Sequence, residues 1–94
     1  MRYDIDISRE HCVGLDETKK RVEDFAQKLK DELAVNYHWD ENTVRFKRTM
    51  VEGCIDVDDS CVRVRVKLGL VFKPMKGEIQ QKINGYMDKV IAST

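Results

Sequence analysis

The side chains best suited to metal binding or acid–base chemistry are two histidines and three cysteines: His11, His38, Cys12, Cys54 and Cys61. None has the spacing of a metal-binding motif. Glu10 and His11 are the nearest approach to an acid–base pair, but neighbouring strand residues point to opposite faces. The sequence has neither a nucleophile elbow nor a glycine-rich phosphate loop. We therefore predict no catalytic residue, no metal and no cofactor.

Composition limits the partners and the compartment. The 17 basic residues equal the 17 acidic ones, so no long-range field would recruit nucleic acid or an acidic membrane, and any electrostatic contact must be local. An odd cysteine count without C-x-x-C spacing favours a reducing, cytoplasmic location. No stretch has the length and apolarity of a signal peptide or an integral membrane segment. We expect one domain spanning residues 1–94.

The elements that must position these side chains begin with a strand and a helix. Alternation of apolar and polar residues predicts a strand over residues 2–9. Helical spacing then predicts an amphipathic helix ending near Ala34, with Asp16 as its N-cap and an apolar stripe formed by Leu15, Val22, Phe25, Ala26, Leu29 and Leu33.

Two hairpins follow, each with a self-consistent register. A turn at Glu41 and Asn42 places Trp39 opposite Val44 and Tyr37 opposite Phe46. A turn at Asp59 and Ser60 gives the second hairpin the pairs Val57 with Val62 and Ile55 with Val64. Residues 48–53 break the inward pattern, and only Gly53 offers an easy positive φ, so we expect a loop or a bulge there.

The last strand and helix complete the pattern. Even-numbered residues from Val62 to Phe72 face inward, Leu70 among them, and Pro74 suits the first position of a helix whose stripe is Met75, Ile79, Ile83, Met87 and Val90. The fold class is α+β, in the order β-α-β-β-β-β-α. Two helices are expected to pack on one face of an antiparallel sheet.

The outward sheet face carries charges of both signs. Its basic residues are opposed by Asp4, Asp6, Asp56 and Asp58, which predicts ion pairing across strands by Arg45, Lys47, Arg63, Arg65 and Lys67. RNA-binding sheets present aromatic rings on such a face, whereas Tyr37, Trp39 and Phe46 fall on the core side, so nucleic-acid binding is disfavoured. A further hypothesis is that this charged face pairs two copies into a homodimer.

Residues 68–72 are apolar on both faces. One interpretation is that the chain's own helices or a loop cover this end. The other is a contact patch, formed by Val71, Phe72 and Met75, for an apolar ligand, another subunit or a hydrophobic surface.

Motifs distributed over nearly the whole chain resemble the polyhydroxyalkanoic acid system (granule region) family. They are Tyr37-x-Trp39-Asp40, Val44-Arg-Phe-Lys-Arg48, Gly53, Asp58-Asp59, Val62-Arg-Val-x-Val-x-Leu-Gly69 and Pro74-x-Lys-Gly77. The resemblance implies a small bacterial protein with a granule-associated or accessory role, and it carries over no catalytic residue. The sequence departs from the pattern at Met50, where a small turn residue is expected, and in its three cysteines.

We interpret the chain as a non-enzymatic binding or accessory protein linked to polyhydroxyalkanoate granule metabolism, with a granule-associated protein or an apolar ligand as partner. The alternative is a carrier or enzyme for an acyl-type small molecule. Such a molecule would lie between helices and sheet, in a pocket lined by Phe25, Trp39, Phe72 and Ile79.

Overall fold

A computed structural model describes residues 3–91. It confirms the α+β class, with two helices and one five-stranded antiparallel sheet in the spatial order β1-β5-β4-β3-β2. The elements are β1 (Ile5–Glu10), α1 (Leu15–Leu33), β2 (Asn36–Asp40), β3 (Thr43–Arg48), β4 (Val51–Val57), β5 (Cys61–Leu68), a 3-10 turn (Lys73–Met75) and α2 (Lys76–Ile91).

The order of the strands follows from one long connection. β1 and β2 are joined by α1 yet lie at opposite edges of the sheet, so the connection through α1 runs from one edge to the other over the apolar face. β1 closes the sheet by pairing with β5, with Ile5 opposite Val66. The predicted strand at residues 2–9 is displaced, since β1 begins at Ile5, and residue 2 lies outside the described residues.

Helix α1 forms where its apolar stripe was predicted, but its start differs. Gly14, with φ of 91°, is the N-cap, and Asp16 lies inside the first turn. Asp16 is therefore not the cap, although its carboxylate still favours the positive end of the helix dipole. The helix ends at Leu33 because Ala34 adopts the left-handed conformation and donates its N–H to the Lys30 carbonyl.

Both predicted hairpin registers are confirmed. Trp39 pairs with Val44, and Val57 pairs with Val62. The expectation of a loop or bulge over residues 48–53 was wrong, because β3 and β4 form a third hairpin in which Arg48 pairs with Val51. The residue with positive φ in this turn is Met50, and not Gly53 as the sequence suggested.

Gly53 is required for packing instead of for the turn. Gly53 lies on the core face between Phe46 and Val66, and a Cβ there would collide with the Arg65 carbonyl oxygen and, at 2.8 Å, with the Phe46 ring. The missing side chain lets the phenyl ring lie over the strand, as aromatic residues do beside strand glycines.

The core occupies one side of the sheet. Buried residues of both helices join the inward residues of the strands in a single cluster. The α1 contribution is Val22, Phe25, Ala26 and Leu29, and the α2 contribution is Ile79, Ile83, Met87 and Val90.

The end of β5 differs from the prediction. The strand stops at Leu68, and Leu70, which the alternation placed inward, is 78% exposed. The Phe72 and Lys73 N–H groups both bond to the Gly69 carbonyl, which winds this segment out of the sheet. Pro74 lies in the 3-10 turn, before α2 begins at Lys76.

A hydrogen-bonded cluster fixes the edge strand β2 to α1. The Glu23 carboxylate accepts bonds from the Tyr37 hydroxyl at 2.6 Å and the Trp39 indole N–H at 2.8 Å. These bonds, first that of Tyr37, lower the pKa of Glu23, and the same carboxylate raises the pKa of Tyr37 to about 12. The cluster holds the outermost strand where strand pairing exists on one side only.

The Glu23→Gln variant tests this cluster. Because the folded-state pKa of Glu23 is lowered, its contribution is present above its ordinary pKa of 4.5 and is lost as pH falls. We expect the variant to lose about 1 kcal/mol of unfolding free energy at neutral pH, since an amide accepts more weakly than a carboxylate. Urea denaturation at several pH values should show the difference shrinking in acid. A difference independent of pH would contradict this assignment.

Candidate functional site

The exposed apolar surface is concentrated in one place. In residues 3–91, the large hydrophobic side chains that are exposed are Met50 at 40%, Leu70 at 78%, Val71 at 67% and Met75 at 41%. We call these four side chains the apolar corner. Singly exposed apolar residues are ordinary, but a cluster is informative.

Two segments distant in sequence build the corner. The Gly69 N–H donates to the Met50 carbonyl at 2.7 Å, which joins the β3–β4 turn to the end of β5. The Met50 side chain lies on Gly69, where a Cβ would come within 2.6 Å of the Met50 Cε. The absence of a side chain at Gly69 thus leaves room for the Met50 side chain at the start of the 70–75 segment.

Arg48 fixes the corner to the rest of the fold. Its Nη1 donates to the Leu33 carbonyl at the end of α1, at 2.8 Å. Its guanidinium carbon lies 5.3 Å from the centre of the half-buried Phe72 ring. One side chain therefore connects helix α1, the β3–β4 turn and the segment leading into α2.

Met50 has an unfavourable backbone conformation. Its φ is +73°, a left-handed region that costs an ordinary L-residue about 1–2 kcal/mol and that Gly or Asn tolerate better. Contacts of the Met50 side chain offset only part of this conformational free-energy cost, because the side chain remains exposed. Local rules broken in this way are expected at functional positions.

A shallow cavity of about 350 Å³ adjoins the corner on the outer side of the sheet. Basic and apolar groups share its wall, which is formed by Lys47, Arg48, Thr49, Met50, Val51, Glu52, Lys67, Leu68 and Gly69. An apolar surface and several cations are thus available to one ligand.

The predicted contact patch and the predicted pocket have different locations. Val71 and Met75 belong to the corner, and Phe72 lies half-buried beneath it. Phe25 and Ile79 are buried in the core, while the half-buried Trp39 packs against that core and bonds to Glu23. Sequence alternation missed Leu70, and Met50 was signalled only as an unusual turn residue.

The histidines and cysteines are dispersed. The His11 ring is buried and its Nε2–H donates to the Asp58 carbonyl at 3.0 Å, so its Nδ1 accepts the Val13 N–H. Burial raises the pKa of the Cys54 thiol, while Cys12 is exposed. Across residues 3–91, no three His, Cys, Asp or Glu side chains are grouped to hold a metal ion.

The predicted ion pairing on the outer sheet face is confirmed for the arginines, while within residues 3–91 Lys47 and Lys67 form no salt bridge. Arg63 binds the Asp6 carboxylate through two hydrogen bonds of 2.9 and 2.7 Å. Arg65 binds Asp56 at 2.6 Å in the neighbouring strand pair. The homodimer hypothesis for this face stays a prediction.

Comparison with known proteins agrees with the resemblance. The family model described as "Putative polyhydroxyalkanoic acid system protein" matches residues 5–91. The chain belongs to this family. Neither a curated protein nor a solved structure matches it. The match spans both segments of the apolar corner. Within residues 3–91, neither helix has the length and apolarity needed to cross a membrane.

A substitution tests whether Met50 is needed for the stability of the fold. Met50→Asn relieves the positive φ but removes the contact with Gly69, so we expect the free energy of unfolding to change by less than about 1 kcal/mol. Glu41→Asn is the control, because Glu41 has φ of 56° in an exposed turn at the other end of β3. Chemical denaturation measures both. A loss above about 2 kcal/mol for Met50→Asn alone would show that the methionine serves stability.

Proposed function

We propose that the protein is a non-enzymatic accessory protein of the polyhydroxyalkanoate system that attaches to storage granules through its apolar corner. The observation that carries the proposal is that the exposed large hydrophobic side chains of residues 3–91 lie either on the 70–75 segment or on the β3–β4 turn, which contacts the start of that segment at Gly69. The family membership supplies the granule context.

The arrangement of the helices favours this mode of attachment over helix insertion. Amphipathic helices that coat a surface need a free apolar face. Here the apolar stripes of α1 and α2 are buried against the sheet, so inserting either helix would require opening the core. The corner is exposed while the core stays closed, and a folded protein can use it directly.

The corner also has suitable energetics for reversible attachment. Fully burying an apolar side chain of this size contributes about 1.5–3 kcal/mol, and four side chains are available. Part of that gain is offset by the loss of motional freedom on binding. Moderate affinity is the expected result, adequate for an accessory protein on an abundant surface.

The proposal is tested by Val71→Asp, measured as co-sedimentation of the purified protein with isolated polyhydroxyalkanoate granules. Val71 is exposed and outside any helix or strand, so the substitution should leave the fold intact while placing a charge in the contact. We expect at least a tenfold loss of bound protein, because the variant loses apolar burial and must desolvate a carboxylate.

Asn42→Asp is the matched control. It adds the same negative charge at an exposed turn at the opposite end of β3. The control should bind like the parent protein. Equal binding by folded Val71→Asp and the parent protein would show that the apolar corner does not attach the protein to granules.

A further inference from the structure

Basic side chains surround the apolar corner more densely than the composition predicts. Residues 47–52 and 67–76 together hold five basic residues and one acidic residue, Glu52, whereas the whole chain holds 17 of each sign. We call these five residues the basic collar: Lys47, Arg48, Lys67, Lys73 and Lys76.

The collar lysines are available to a partner. All four are exposed, and no salt bridge to them occurs within residues 3–91. Glu52 lies opposite both Lys47 and Lys67 in the sheet, so Lys73 and Lys76 are the two lysines without an acidic residue in the facing strand position. Elsewhere, arginines of the sheet are held by aspartates. Two further acids approach the collar: Asp4 accepts the Leu68 N–H at 2.7 Å, and Glu78 lies in the first turn of α2.

The positive charge of the basic collar favours an anionic binding surface over a neutral one. A neutral ester polymer offers no counter-charge, so pressing the corner onto it would leave the lysines with partial loss of hydration and no compensation. A layer of amphiphiles with anionic headgroups offers both an apolar contact and a counter-charge. Its acyl chains can contact the apolar corner while its headgroups pair with the basic collar. Lysines suit this arrangement because their long stems extend along apolar material while the ammonium stays at the headgroup level.

We propose that the surface recognised by the apolar corner is a lipid layer bearing anionic headgroups, with the basic collar binding those headgroups. This inference rests on the proposed function and names the chemistry of its partner. Attraction between the collar and the surface is short-ranged, because the net charge of the chain is zero and salt screens charges beyond about 10 Å. Docking by the corner is therefore what brings the collar into range.

The test is co-sedimentation with vesicles of phosphatidylcholine alone and of equimolar phosphatidylcholine and phosphatidylglycerol. The parent protein should bind the anionic vesicles at least about 30-fold more tightly than the neutral ones, and added salt should weaken that binding. The double variant Lys73→Gln/Lys76→Gln should lose about 30-fold on anionic vesicles, since each lysine near such a surface contributes about fivefold. It should be unchanged on neutral vesicles.

The matched control is Lys20→Gln/Lys89→Gln, which removes the same charge from exposed positions on α1 and near the end of α2. It should lose less than threefold. Equal losses for the two double variants, equal binding to both vesicle types, or no vesicle binding at all would each overturn the inference.

A further variant distinguishes failure of the lipid assignment from failure of the proposed granule attachment. Val71→Ser removes apolar contact without changing charge, and its binding to granules tests the corner alone. If Val71→Ser loses granule binding while headgroup charge has no effect, the corner stands and the lipid assignment fails. If collar substitutions weaken vesicle binding but Val71→Ser and Val71→Asp bind granules normally, the granule role of the corner fails instead.

Discussion

Burial of one face of the sheet by two helices is the constraint on which the rest of this structure depends. A chain of 94 residues has few apolar side chains from which to build a core. Residues from all five strands and both helices belong to one core cluster or pack against it. Because the stripes of α1 and α2 are used there, they are not available for binding. Any apolar surface that remains must come from the connections between elements.

The corner arises where two such connections meet. The chain has to leave the sheet after Leu68 and turn into α2, and the β3–β4 hairpin closes beside it. The bond from the Gly69 N–H to the Met50 carbonyl and the attachment of Arg48 to Leu33 hold these segments in place. The exposed side chains are thus presented by an anchored backbone, which lowers the entropic cost of binding.

Much of the fold could be predicted because its signals are local. The period of two in the strands and the 3.6-residue period of the helices fixed the order of elements, and facing pairs fixed two registers. The third hairpin was missed because its turn uses a methionine at positive φ, which turn chemistry disfavours. The pairing of β1 with β5 has no local signal at all, since it depends on where α1 crosses the sheet.

The candidate site was predictable only in part for the same reason. Alternation identified the unusual apolar run after Leu68, so Val71 and Met75 were accessible to sequence reasoning. It continued the strand too far and placed Leu70 inward, because the turn beginning at Gly69 depends on hydrogen bonds that periodicity does not encode. The contribution of Met50 to the corner requires contact between segments about twenty residues apart, which a one-dimensional pattern does not show.

The central claim is that the protein binds as a closed fold through its corner, and amide hydrogen exchange with and without granules tests it most directly. Exchange should slow on binding in residues 48–51 and 69–76, while the amides of α1 and α2 keep the protection they have in the free protein. Faster exchange in either helix on binding would show that the core opens to insert a helix. That result, or protection confined to the outer sheet face, would contradict the account.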